Sequence, residues 1–395
     1  MSTRGIRLAP AALAFLWASP LAFAQQAVPP VGGVPADYCD STCRAKRANP
    51  KPEVVSPTVS PDGQVTVKIW APEAKKVVVS GLEAKPGPAK KSEDGVWTYT
   101  SPKLKQGYES YAVEVDGLGM LDPNNLSVVG GRNRYENMVE IGGGEEFARN
   151  DKDIPHGVIG EVFYRAPGVA FERRMRVYTP PRYNPAAETL PTLYLLHGGT
   201  QSEDQWPKLG RAGFILDKLI AEGKAKRMII VMPDGYLDDF KVPSGALPEL
   251  TTAEVIGGVM PFVEANYAVS KEPKDRAIAG LSRGAGQIVD IVRALPGGFG
   301  NVGVFSYSRT RVSLFRKELE SMTADQWRAL RESVAGAKTL YWSVGTEDAG
   351  FEDSKAIWSM LKTNSIDFTT QPRPGNHDWW VWRASLRDFA QKAFQ

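Results

Sequence analysis

The 395-residue chain is poor in cysteine and histidine, in unbalanced charge and in long apolar runs. Its two cysteines, Cys39 and Cys43, have no histidine or further cysteine near them, so neither a metal site nor a redox pair is indicated. A bridge between them would close a loop too short to add much stability, and the sequence leaves their pairing open. The 48 Lys and Arg against 45 Asp and Glu give a formal charge of +3, with no basic block long enough to follow a phosphate backbone. Nucleic acid is therefore not an expected partner.

One apolar run stands out. Arg4 and Arg7 precede residues 8–23, and Ala22-Phe23-Ala24 follows at its end. A charged start, a short apolar stretch and a small-x-small finish are the marks of a signal peptide, so export with cleavage after Ala24 is expected. The run is shorter than the roughly 20 residues a span requires, and Pro10 and Pro20 interrupt it. Gln25, not cysteine, follows the cleavage point, so a lipid anchor is not indicated. No later segment is apolar enough to cross a bilayer, and no stable membrane insertion is expected after cleavage. Periplasm and extracellular space both remain open, as does oligomeric state.

Beyond these absences the composition is globular, with 42% hydrophobic and 24% charged residues. Residues 25–56 are rich in Pro, Gly and Ala without apolar period and read as a linker. Between 57 and 142 the pattern is β. Val65, Val67 and Ile69 alternate with Thr66, Lys68 and Trp70, and Asp-Gly and Pro-Gly breaks separate further short strands. This predicts a small all-β, immunoglobulin-like sandwich. Residues 143–157 are polar and glycine-rich and read as a hinge. From 158 to 395, strand-like runs at 158–164, 175–178, 192–196, 228–232, 277–281, 302–306 and 340–344 alternate with helical stretches. These helices include 253–266, 284–294, 324–334, 351–362 and 382–394. The later strands are almost wholly apolar, as when helices cover both faces of a sheet. The expected fold class is α/β, a doubly wound, mostly parallel sheet preceded by the sandwich.

The chemistry centres on Gly280-Leu281-Ser282-Arg283-Gly284, which follows an apolar strand and opens a helix. A serine in a strained strand-to-helix turn is the nucleophile elbow of α/β-hydrolases. The helix N-terminus behind it offers amides to a developing oxyanion. A serine hydroxyl needs a base, and the chain has only three histidines. His156 lies in the hinge, and His197 ends an early strand. Only His377, in Gly375-Asn376-His377-Asp378, satisfies the order nucleophile, acid, histidine. The acid must lie between them, just past a strand end. Asp348 is the first choice, Glu347 the second and Asp353 the third, each of which could instead cap a helix. His197-Gly198-Gly199 supplies the other half of an oxyanion hole, so the expected donors are the amides of Gly199 and Arg283, with His197 a structural hydrogen-bonding residue.

Together these motifs resemble the carbohydrate esterase family 1 type, which includes feruloyl and acetylxylan esterases and is related to enterochelin esterases. The resemblance rests on residues 174–181, 194–199, 276–282, 345–348 and 375–379 and covers essentially all of 156–395. Ile69-Trp70-Ala71-Pro72, Asp94-Gly95-Val96-Trp97 and Val115-Asp116-Gly117 resemble the early-set, carbohydrate-binding-module-like domain of glycogen-branching enzymes. The resemblance implies an α/β-hydrolase that cleaves acyl esters through an acyl-enzyme, without metal or organic cofactor. A small-molecule or polysaccharide ester is the implied partner. Arg283, Gly284 and Ala285 stand where the family usually has Met-Gly-Gly, so Arg283 either selects an acidic substrate or obstructs the usual acyl group. Gln201, Trp206, Tyr236, Tyr307 and Trp379, near strand ends, are candidate substrate contacts. By resemblance the N-terminal domain either presents polysaccharide or, equally, only packs on the esterase and shapes its cleft; Trp97 and Tyr99 are candidate sugar platforms, though alternating aromatics in a strand are more often core. A siderophore-ester hydrolase or an acyltransferase would use the same site. A non-catalytic binding protein on the same fold is the alternative of another class.

Overall fold

The computed structural model describes residues 52–395 apart from 83, 132–134, 143–144, 170 and 236–246. The signal-peptide pattern, most of the linker, both cysteines and Tyr236 lie outside the described residues. Glu53–Gln395 forms one compact unit.

The N-terminal part is a two-sheet sandwich. One sheet pairs Thr58–Val59, Gln64–Trp70, Val96–Lys103 and Lys90–Lys91. The other runs through Ala84–Pro88, Val77–Gly81, Gly107–Val115, Tyr135–Ile141 and Val128–Gly130, with Leu118–Met120 beside Gly107–Val115. The alternation read from the sequence is what closes it: Val65, Val67 and Ile69 point inward against Val77, Val79 and Val113. Trp97 is core, its indole N–H donating to the Ala71 carbonyl. Its burial, with Lys91 of the adjacent strand 5.6 Å from the ring centre, places Trp97 in the core and not on a sugar-binding surface.

The C-terminal part is an eight-stranded sheet. Its strands are β1 (Val158–Tyr164), β2 (Arg173–Thr179), β3 (Thr192–Leu196), β4 (Ile229–Pro233), β5 (Arg276–Ser282), β6 (Asn301–Tyr307), β7 (Thr339–Gly345) and β8 (Thr369–Arg373). They lie in the order β1-β2-β4-β3-β5-β6-β7-β8, and only β2 runs antiparallel to its neighbours. This is the α/β-hydrolase arrangement, and every residue of β3, β4 and β6 is buried. Five helices matter for the site: α1 (Ala212–Ala221), α2 (Arg283–Ala294), α3 (Arg309–Glu320), α4 (Phe351–Thr363) and α5 (Trp379–Lys392). Helix α5 begins three residues before the expected 382, because Asp378 caps it by accepting from the Val381 amide at 3.1 Å.

The connecting segment is not a free hinge. Glu146–Ala148 is a short 3-10 turn with Ala148 fully buried. The Gly157 amide and the His156 ring both bond Asp217 of α1, and Tyr178 of β2 donates to the same carboxylate. One apolar cluster runs without a break from Val129 and Met138 of the sandwich into Trp206, Leu209 and Trp379 of the α/β layer. Most of the segment's polar side chains, among them Arg149, Asn150, Lys152 and Asp153, remain exposed, while Glu145, His156 and the Gly157 amide bond across to the α/β layer.

Candidate active site

The site grows from the end of β5. Ser282 takes φ 54°, ψ −113°, a conformation that only a tightly constrained non-glycine residue keeps, and α2 starts at the next residue. The neighbouring Gly284 is required for a different reason. A Cβ there would stand 2.5 Å from the His197 carbonyl oxygen, so any side chain would push α2 off the end of β3. The strain sits on the serine, and the glycine lets the helix approach closely enough to hold it.

His377 lies on the short loop between β8 and α5. Its Nε2 is 2.9 Å from Ser282 Oγ, and its Nδ1 is 2.7 Å from Asp348 Oδ2. The other carboxylate oxygen, Oδ1, accepts the Gly350 amide at 2.9 Å. Burial opposes the charge on Asp348. The hydrogen bonds from His377 and from the Gly350 amide outweigh it and hold the carboxyl below its ordinary value of 3.8. Of the three acids considered, Asp348 alone meets the histidine. Asp353 instead accepts from Ser313 and Arg316 of α3, and Glu347 faces the cleft beside His377.

Across from the histidine, Gly198 runs directly against Ser282. A Cβ on Gly198 would lie 3.2 Å from Ser282 Cβ and 2.6 Å from Leu281 Cδ1. Gly198 is held on both sides. Its amide donates to Gln201 Oε1 at 2.8 Å, and its carbonyl lies 2.8 Å from His197 Nδ1. The Gly235 amide donates to His197 Nε2 at 3.0 Å, so that nitrogen is an acceptor and Nδ1 carries the proton. In a trans peptide the Gly199 N–H points opposite to the Gly198 carbonyl, away from the His197 ring. The opening amides of α2, that of Arg283 first, sit at the positive end of the helix dipole. His197 is thus a structural hydrogen-bonding residue of this loop.

The proposed substrate contacts fare differently. Gln201 stands beside the site but gives its carbonyl oxygen to the Gly198 amide. Trp206, Tyr307 and Trp379 are 1%, 5% and 7% exposed, which corrects their reading as open to ligand. Trp206 donates to the Leu196 carbonyl and meets Trp379 edge-on at 5.3 Å, while Tyr307 packs between Phe315 and Trp342.

Several site residues escaped the sequence reading. Trp382 meets the His377 ring edge-on at 5.0 Å, and Ser306, at φ 42°, sits fully buried at the register shift that leaves Leu281 paired with Phe305 and Ser282 with Tyr307. A cleft of about 680 Å³ opens beside His377. Residues 105–109, the turn before and start of the Gly107–Val115 strand, form one wall, and Glu347, Asn376, Asp378 and Trp380 form the other. No periodicity or motif signals a contribution from the sandwich. Among the described residues, no three of His, Cys, Asp and Glu come together as metal ligands, and no helix is long and apolar enough to cross a membrane.

The "Esterase" family model matches residues 169–392, over half of the chain. The chain belongs to this esterase family. Carbohydrate-binding module 48 (isoamylase N-terminal domain) matches residues 55–129. An endo-1,4-beta-xylanase/feruloyl esterase of Xylanibacter ruminicola is 34% identical over 262 residues, covering 63% of this chain and 36% of that one. The chain spans only about a quarter to a third of the length of the first curated relatives it matches. Among solved structures, a ferulic acid esterase of Anaeromyces mucronatus, in complex with ferulic acid, superposes with TM-score 0.53 at 22% identity, over 64% of this chain and 96% of that one. The enterobactin esterase of Shigella flexneri reaches 0.58 at 17% identity, over 84% and 93%. Identities this low speak for a shared fold, and the second extends it over most of the chain.

Proposed function

We propose that this protein is an exported serine carboxylic-ester hydrolase acting on acyl esters of plant polysaccharide. The observation that carries the reading is the unbroken hydrogen-bond chain Ser282–His377–Asp348 on a strained elbow. Ser282 Oγ attacks the ester carbonyl while His377 Nε2 takes its proton. The Gly199 and Arg283 amides hold the oxyanion, and Asp348 fixes the histidine tautomer and offsets the imidazolium charge. The tetrahedral adduct collapses, His377 returns the proton to the departing alcohol, and an acyl-Ser282 remains. Water then repeats the sequence, activated by the same histidine, and frees the acid.

The substrate class follows from where the alcohol must sit. His377 protonates the leaving oxygen, so the alcohol portion occupies the cleft beside His377. That cleft offers Lys105, Gln106, Glu109, Glu347 and Asn376 with the ring of Trp380, a lining suited to hydroxyl groups and to the apolar face of a sugar. The feruloyl esterase name of the Xylanibacter relative supports an aromatic acyl group. The enterobactin esterase fold match, which reaches across the sandwich, favours a siderophore ester as the second reading. Export rests on the charged, apolar and small-residue pattern of residues 4–24.

Three substrates separate these readings: feruloylated arabino-oligosaccharide, methyl ferulate and enterobactin, with released acid followed by chromatography. A higher kcat/KM on the saccharide ester than on the methyl ester is expected. Preference for enterobactin would move the assignment to the second reading, and acyl transfer without free acid would make the protein a transferase.

A further inference from the structure

The loop that carries His377 has little position of its own. The Asn376 and Val381 amides both donate to Asp378, and the His377 amide donates to Asn376 Oδ1, so the loop is built onto the first turn of α5. The Trp382 ring of that helix braces the imidazole edge-on. Wherever the first turn of α5 goes, the histidine goes with it.

The next residue, Arg383, is 0% exposed and turned toward the sandwich. Its Nε donates to the Leu209 carbonyl at 2.8 Å, and its Nη1 to Glu140 at 3.1 Å and Glu145 at 3.0 Å. Its Nη2 bonds the Tyr108 hydroxyl, and the guanidinium lies 4.5 Å from the centre of the Tyr108 ring. Glu140 also pairs with Arg211, just ahead of α1. Three of these partners precede the α/β sheet in the chain, so the contact spans some 240 residues (|i−j| 238 to Glu145, 243 to Glu140). A buried ion cluster of this kind yields little net stability over well-packed apolar residues. What it supplies is direction: a planar fork with five donors fixes the rotation of the helix that bears it.

We propose that Arg383 is a positioning residue of the esterase site, through which the β-sandwich holds the catalytic histidine in register with Ser282. The inference rests on the reading of His377 as base to Ser282. A misplacement of about 1 Å at the reacting groups costs on the order of 100-fold in rate, so a small rotation of α5 suffices.

The test uses the full chain and counts active sites before rates are compared. Wild type, Arg383→Met, Arg383→Lys and Tyr108→Phe are titrated with a fluorophosphonate, and kcat and KM for p-nitrophenyl acetate are expressed per titrated site. Arg383→Met is expected to lose about 10- to 100-fold in kcat per site with KM held within about twofold. Arg383→Lys, which keeps the charge but not the fork, should fall between, and Tyr108→Phe should lose a few-fold. Fewer titratable sites with an unchanged kcat per site would overturn the proposal, because Arg383 would then serve folding alone. If Arg383→Met yields no soluble protein, Tyr108→Phe and Glu145→Gln decide, since both keep side-chain volume; rates per site equal to wild type overturn it. Failure of the esterase reading is seen separately, as wild type that neither titrates nor turns over the ester.

Discussion

Ser282 and His377 are held in opposite ways. Ser282 sits at the centre of the sheet, positioned by one contiguous stretch: strand β5, a strained residue, and a helix pressed against β3 through Gly284. His377 sits beside the edge strand β8 on a loop that borrows its position from α5, and α5 is anchored by Arg383 to residues far away in the chain. The elbow is local and rigid by backbone geometry. The histidine loop is assembled from side-chain bonds over long sequence distances. Damage to the first should be irreparable, and damage to the second graded and open to rescue.

Predictions follow that contrast in order of size. Ser282→Ala should lower kcat by about 10⁴-fold or more while the thermal midpoint stays close to wild type, as ester assays beside calorimetry would register. Asp348→Asn removes the partner that sets the histidine tautomer and should cost about 10³- to 10⁴-fold in kcat. Gly284→Val puts a Cβ at 2.5 Å from the His197 carbonyl, and about 100-fold in kcat with about 1–3 kcal/mol of stability should be lost together. An elbow that tolerated valine would break the comparison. Trp206→Phe tests the corrected role of that ring: stability should fall by about 1–3 kcal/mol, while KM stays within about twofold. A large KM change would return Trp206 to the substrate contacts.

The smallest effect concerns acid stability. The Asp348 carboxyl titrates below 3.8 in the folded protein, so its stabilising contribution is present above that value and is lost as pH falls through the lower folded one. The unfolding midpoint of wild type should therefore drop more steeply than that of Asp348→Asn between about pH 5 and about pH 2. Parallel curves would contradict the assigned direction.

The same contrast explains what could be read from the sequence. Strands 158–164 and 192–196 were legible to the residue, because apolar runs bounded by turn residues leave little choice. Ser282, His377 and Asp348 were legible because chain order and position at strand ends restrict each to very few residues. Trp206, Tyr307 and Trp379 misled, since an aromatic residue beside a strand end looks the same whether it lines a cleft or supports it from below. The cleft wall at 105–109 and the bonds from Arg383 to Glu140, Glu145 and Tyr108 were invisible. They depend on how the sandwich packs against the sheet, and no periodicity in one segment encodes a contact with another 240 residues away (|i−j| 243 for Arg383–Glu140). The bonds that Glu145, His156 and Gly157 of the connector make to the α/β layer were invisible for the same reason, because polar residues in a connector look alike whether they meet water or a partner.

The most direct test of the account is covalent. Folded protein is treated with a fluorophosphonate, digested, and its peptides are weighed by mass spectrometry. The account predicts one adduct, on the peptide containing Ser282, abolished in Ser282→Ala and slowed in Asp348→Asn. Folded wild type that acquires no adduct at Ser282, or labels equally well in the alanine variant, would contradict it.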